Sequence, residues 1–161
     1  VNARLKESAM LRPCLIALTL LLAAVALSAA EGPFAALDPK AISIRLPEDI
    51  HWKTSSSGAA EATLVGDPAK PGLYVVLTKW SAHHNSRPHF HPNDRFITVV
   101  SGTWWVATGR KYDPNQMKPV PTGSFVTHYA QQVHYDGAKD ADVILEIVGM
   151  GPETPTPAEP Q

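Results

Sequence analysis

The sequence predicts an all-β protein closed as a barrel or a sandwich, and three observations lead there. From Ile42 onward, short runs rich in β-branched and aromatic residues recur between turn-forming residues. No stretch of ten or more residues keeps a helical apolar period. The length of 161 residues, with 44% hydrophobic and 18% charged side chains, suits one compact domain. Many short strands at such spacing favour an architecture that leaves few sheet edges open, and the pattern alone does not choose between the two forms.

In chain order the expected strands are Ile42–Leu46, Ala62–Val65, Leu73–Trp80, Pro88–His91, Arg95–Val100, Thr103–Thr108, Ser124–Tyr129, Val133–Tyr135 and Asp142–Val148. Each is bounded by residues that favour turns. Gly66-Asp67-Pro68 and Pro71-Gly72 close the second and open the third, and Pro92-Asn93-Asp94 separates the fourth from the fifth. Ser101-Gly102 turns the fifth into the sixth, Asp113-Pro114-Asn115 follows the sixth, and Asp136-Gly137 precedes the last. Residues 151–161 hold four prolines and almost no apolar side chain, so they are expected to be a mobile Pro-rich tail behind a single domain over 31–150.

The first 30 residues read differently. Arg4, Lys6 and Arg12 precede an apolar stretch from Leu15 to Leu27, followed by the small residues Ser28, Ala29 and Ala30. That order is a secretory signal peptide over 1–30 with cleavage after Ala30. An apolar run of about 13 residues falls short of the roughly 20 needed to cross a bilayer as a helix. The expected location is therefore periplasmic or secreted, with no membrane partner after cleavage. The one cysteine, Cys14, lies inside this segment, so the mature chain would carry neither a disulfide nor a thiol nucleophile. Without the segment, eleven basic and fourteen acidic side chains remain, a mildly acidic balance with no Lys/Arg run, which argues against nucleic acid as a partner.

Seven histidines occur, all beyond residue 30. Residues two apart in a strand share a face, so His89 and His91 converge while Phe90 turns away. Two nitrogen donors are half a metal site. His134, which follows a β run and sits in another short strand, is the best candidate for a third. Imidazole serves Fe, Mn, Ni, Cu and Zn sites alike, so the donors imply one divalent transition metal without naming it. The spacing alone also suits a polar strand face in contact with solvent. His83 and His84 lie in a polar loop and read as surface residues, and His51 is uninformative. Alternation sends one of Trp104 and Trp105 inward and the other outward. No G-x-S-x-G elbow, phosphate-binding glycine loop or C-x-x-C pair is present, so hydrolase-triad, nucleotide and thiol-redox chemistry have no motif behind them.

Over residues 84–148 the chain resembles the cupin superfamily. That family's first motif runs Gly, five residues, H-x-H, three or four residues, Glu, six residues, Gly, and here His89, His91, Arg95 and Gly102 fall in register. In its second motif a Gly precedes a His by eleven positions, matched by Gly123 and His134, with Pro121-Thr122-Gly123 as the opening turn and 20 residues between the motifs. The departures are clear. The first glycine falls at His83, the motif-two Pro and second Gly at Tyr129 and Gln131, and the Glu that normally supplies a fourth ligand is Arg95. Always protonated and without a lone pair, an arginine binds no metal cation.

The resemblance implies a cupin-type β-barrel, a jelly-roll-like double-stranded β-helix, with His89, His91 and His134 as metal ligands. Two readings of Arg95 stand: a catalytic-site fork that grips an anionic group of the substrate, or an ion-pair partner for a carboxylate such as Glu146. They are not exclusive. His128 is either a fourth metal nitrogen or a rim residue hydrogen-bonded to water. The function expected is that of an exported metalloenzyme on a small anionic organic molecule, oxygenase first and then lyase or isomerase. A non-catalytic ligand- or metal-binding module is the alternative, and a cupin without metal a third. A homodimer through an edge strand near Ile42 is left open.

Overall fold

The computed structural model describes Phe34, residues 36–55 and residues 58–159. The expected signal segment, with Cys14, lies outside the described residues. Among the described residues, no helix is long and apolar enough to cross a membrane. The chain divides into two units, Val1–Ser43 and Ile44–Gln161. The described part of the first is a run of turns, in which the Leu37 amide donates to the Phe34 carbonyl at 3.0 Å and the Ala41 amide to that of Asp38 at 2.9 Å. Residues 42–46 form no strand, contrary to the sequence pattern, so the edge expected near Ile42 does not exist there. An apolar alternation without a partner strand has nothing to complete its hydrogen bonds.

The regular structure of the second unit is nearly all strand: β1 (Lys53–Thr54), β2 (Ala59–Val65), β3 (Gly72–Trp80), β4 (His89–Phe90), β5 (Arg95–Ser101), β6 (Thr103–Thr108), β7 (Lys118–Pro121), β8 (Phe125–His128), β9 (His134–Gly137), β10 (Val143–Gly151) and β11 (Thr156–Pro157), with one 3₁₀ turn at Pro47–Asp49. They form two antiparallel sheets, β1-β2-β3-β10-β5-β8 and β11-β4-β9-β6-β7. Strands β3 to β6 alternate between the sheets and β7 to β10 return beside them, giving the nested pairs β3·β10, β4·β9, β5·β8 and β6·β7. A long hairpin wound in this way is a double-stranded β-helix, the form the motifs implied.

Alternation builds the core. Tyr74, Val76, Trp80 of β3, Ile97 and Val99 of β5, Trp104 of β6 and Val143, Leu145 and Ile147 of β10 are buried and packed as one cluster. Trp104 is the inward member of its pair, and Trp105 turns out, where Lys139 Nζ lies 3.9 Å from its ring centre. A smaller cluster, Ala107, Met117 and Tyr135, closes one end.

Two loop positions explain the missing motif glycines. His83 and Gln131, the only non-glycine residues with positive φ among the described residues, have φ of 66° and 61°. They stand where the family pattern has glycine. The left-handed backbone is kept because it serves hydrogen bonds, His83 N–H to Lys139 O at 2.7 Å and Gln131 N–H to His91 O at 2.8 Å. An L-residue pays about 1–2 kcal/mol for that conformation, while glycine adds roughly 0.5–1 kcal/mol of ordering entropy. Gln131→Gly is therefore expected to gain up to about 1 kcal/mol of stability, read as a higher urea midpoint. A lower midpoint would mean that the glutamine side chain contributes more than the backbone strain removes.

The expected mobile tail is a strap. Beyond β10, Glu153 N–H donates to Pro68 O at 2.7 Å, β11 pairs with β4 with Thr156 opposite Phe90 and Pro157 opposite His89, and Ala158 N–H donates to Pro88 O at 2.8 Å. Arg87 holds Glu159 through two nitrogens, at 2.9 and 2.6 Å. Composition suggested disorder because the prolines and lack of apolar residues hide a segment whose bonds are made to the barrel rather than within itself.

Candidate metal centre

The nesting of strands brings the histidines together. His89 on β4 is the register partner of His134 on β9, so their side chains share a face, and their ring centres lie 4.6 Å apart. His91 follows β4 by one residue and is nearly sealed, with its ring centre 4.8 Å from that of His89 and 5.4 Å from that of His134. The next nested pair repeats the arrangement one level away, where Arg95 of β5 stands opposite His128 of β8. The Pro92-Asn93-Asp94 turn carries the chain between the sheets, and Asp94 Oδ1 secures it by accepting the Ala130 amide at 2.7 Å.

Hydrogen bonds fix the imidazole tautomers. His89 Nδ1 is 2.8 Å from the Arg87 carbonyl and His134 Nδ1 is 3.0 Å from that of Gln132, so each Nδ1 carries the proton and donates it. Their Nε2 atoms are left with free lone pairs. That of His134 is buried and has no hydrogen-bond partner. His89 Nε2 lies 3.0 Å from His91 Nε2. Nitrogens about 2.1 Å from one ion and at right angles around it are about 3.0 Å apart. Three donor atoms that lie within 4.8 Å of one another, with an orphaned buried nitrogen among them, suit a shared cation, and the residues fit a divalent metal ion.

Arg95 reaches this cluster. Its Nη1 donates to His91 Nε2 at 2.5 Å and lies 3.6 Å from Glu153 Oε1. Glu153 Oε1 in turn is 2.6 Å from His91 Nδ1, a close contact not aligned as a hydrogen bond. The carboxylate beside Arg95 is thus the strap's Glu153 rather than Glu146, whose position in β10 pairs with Leu77 and Thr98. The Nε–H of Arg95 is buried and unpartnered, a donor left spare.

His128 is buried against His134, with ring centres 3.8 Å apart, and Trp104 flanks it at 5.2 Å. It forms a second possible ligand group with His134 and Asp136, separate from His89 and His91. Its Nδ1 has no partner. Burial, reinforced by the neighbouring His134 and Arg95 charges, pushes its pKa down to about 2. Burial likewise lowers His134 to about 4 and lowers His91, the latter against the pull of Glu153. These rings are neutral at physiological pH, as metal ligands must be.

A cavity of about 370 Å³ opens beside the cluster. His89, His91 and Arg95 border it, Trp80, Ile97, Trp104, Leu145 and Ile147 form an apolar wall, and Glu61 of β2 and Glu153 add carboxylates. The Trp104 indole N–H is a buried donor without a partner. Much of Glu61 stays open to solvent, yet confinement of its carboxyl and the charge of Glu153 raise its pKa against the opposing Arg95. Burial acts to raise Glu153 too, but His91 and Arg95 outweigh it and hold its carboxyl below the usual range.

No family model matches the sequence, and no curated protein does. Solved structures do match. The polyketide cyclase RemF from Streptomyces resistomycificus is 13% identical with a TM-score of 0.62, over 74% of this chain and 87% of that one. A cupin-2 domain protein from Rhodospirillum rubrum is 12% identical with a TM-score of 0.57, over 74% and 80%. This chain has the cupin fold. A DMSP lyase structure is also similar, at 16% identity and a TM-score of 0.54, over 70% of this chain and 63% of that one. At such identities the likeness is one of fold, and the cupin motifs in this sequence are divergent.

The sequence pointed to His89, His91, His134, His128 and Arg95, and the fold brings all five into one cluster. It did not point to Glu153 or Glu61 as cavity residues, and it left open which of Trp104 and Trp105 would line the cavity. Glu153 lies in a proline-rich tail and Glu61 in a strand without a motif, so neither carried a local signal. The inward side of Trp104 depended on strand register.

Proposed function

We propose that this chain is an exported metal-binding cupin in which His89, His91 and His134 hold one divalent transition metal ion, and that it is an enzyme acting on a small organic anion. The observation that carries the reading is that His89, His91 and His134 bring ligand nitrogens within 4.8 Å of one another beside a cavity that His89 and His91 line. Such an ion supplies Lewis acidity to an oxygen of the bound molecule. The chain's own groups do the rest. The spare Arg95 Nε–H and the Trp104 indole N–H orient oxygen atoms, and Ile97, Leu145 and Ile147 exclude water around the carbon skeleton. Glu61, with its raised pKa, is placed to take or return a proton.

These groups favour proton-transfer chemistry, namely elimination, isomerisation or cyclisation. The similarity to a solved cyclase and a solved lyase supports the same choice over oxygenation. Export rests on the basic, apolar and small-residue order of residues 1–30. The purified protein is expected to carry one equivalent of metal by elemental analysis and to convert members of a panel of small carboxylates, followed by NMR, without consuming oxygen. A metal-free protein under metal-replete conditions would end the reading. Oxygen uptake would restore the oxygenase, and bound metal with no conversion would leave a binding module.

A further inference from the structure

We propose that Glu153, carried in by the C-terminal strap, is a positioning residue of the metal centre that neutralises Arg95 and steadies His91. The inference rests on the three-histidine metal reading above. Its starting point is a charge problem. Three neutral imidazoles bring no negative charge to a divalent cation, and Arg95 Nη1 sits within hydrogen-bonding distance of one of the donor atoms, His91 Nε2. A guanidinium is always charged, so by itself it repels any cation that these nitrogens would share. The low exposure of the side chains makes screening weak, at 12% for Arg95 and 5% for His91.

The nearest compensating charge comes from outside the barrel strands. Glu153 Oε1 stands 2.6 Å from His91 Nδ1 and 3.6 Å from Arg95 Nη1, with its side chain 16% exposed. It is held there by backbone rather than by the ion pair alone. Its own amide donates to Pro68 O, Asn93 Nδ2 donates to Met150 O at 2.8 Å just before it, and Ala158 N–H to Pro88 O fixes the strap after it. The carboxylate therefore arrives preplaced. Beside His91 Nδ1 its charge favours the tautomer that keeps the proton there and the lone pair on Nε2, where Arg95 Nη1 donates and an ion would take that donor's place. Beside Arg95 it cancels the repulsion. The strap thus couples docking of the C-terminal segment to occupancy of the site.

The test compares Zn²⁺ affinity, by competition with a chromophoric chelator, in the full chain, Glu153→Gln, Arg95→Gln and the double variant. Glu153→Gln is expected to bind about 10- to 100-fold more weakly, Arg95→Gln more tightly than the parent, and the double variant to recover most of the loss. Hydrogen exchange at the Ala158 amide reports strap docking and should be unchanged in Glu153→Gln. Unaltered affinity in Glu153→Gln, a double variant as weak as that single one, or loss of affinity together with Ala158 protection would overturn the proposal. Should Glu153→Gln fail to fold, Arg95→Gln decides alone, since equal or weaker binding contradicts the charge cancellation. A parent chain that binds no Zn²⁺ would instead sink the metal reading itself, which separates the two failures.

Discussion

Replacing His134 with alanine is expected to abolish stoichiometric metal binding while leaving the barrel folded. His134 sits in β9 opposite His89, and its Nε2 is a buried acceptor with no protein partner. Truncation therefore removes a donor atom and one hydrogen bond, that from Nδ1 to the carbonyl of the exposed Gln132, which water can replace. Since even outer-shell substitutions cost about 10- to 100-fold in metal affinity, loss of one of three ligands should exceed about 100-fold. Elemental analysis and chelator competition check this, with far-UV circular dichroism confirming the fold. His128→Ala is the informative companion. A comparable loss would assign His128 to the same ion, and a small one would leave it as a packing residue against His134 and Trp104. Retention of full metal by His134→Ala would mean that the ion lies elsewhere.

Acid is expected to destabilise the metal-free protein steeply. Histidine in the unfolded chain titrates near 6.5, whereas in the fold His128 is held down to about 2, His134 to about 4, and His91 is lowered as well. Below pH 6.5 the unfolded state takes up protons that the folded state refuses, so stability falls as pH falls and is level above that value. Each such histidine costs roughly 1 kcal/mol per pH unit. Two of them between pH 6.5 and 4.5 account for about 4–5 kcal/mol, a large share of the 5–15 kcal/mol typical of a domain. The lowered pKa of Glu153 adds to the loss at lower pH, where its carboxylate becomes protonated, and the raised pKa of Glu61 works the other way. Urea unfolding with a chelator present, at pH 7.5 and pH 5, measures the slope. His128→Gln should flatten it by about one proton. A stability independent of pH over that range would contradict burial of neutral rings. Bound metal should steepen the dependence, because it requires deprotonated nitrogens.

Much of this was legible along the chain because the signals were local. Strand periodicity depends on which side of a pleat a residue takes, so most of β2 to β10 could be read from β-branched runs and turn formers, although the four-residue β7, half proline, could not. His89 and His91 were linked by that same two-residue period, and the likeness of the Gly123-to-His134 spacing to a cupin motif supported His134 as the third candidate. Where backbone conformation outlived its usual residue, as at His83 and Gln131, the motif looked broken although the turn was intact. The Ile42–Leu46 pattern shows the opposite failure, a plausible strand with no neighbour to complete it.

The partners of the central charge were decided by the tertiary structure alone. Sequence showed that position 95 carries an arginine where the family pattern has a ligand, and left its carboxylate partner open. Glu146 was plausible because it lies in an apolar strand, but strand register assigns it to other neighbours. Glu153 is 58 positions from Arg95 in the chain and reaches it only because the strap runs back across β4. The candidate histidines and the all-β architecture were determined by the sequence itself, through short-range periodicity and motif spacing. The charge balance around those donors came from chain return, since an ion pair depends on distance in space and leaves no period in the sequence.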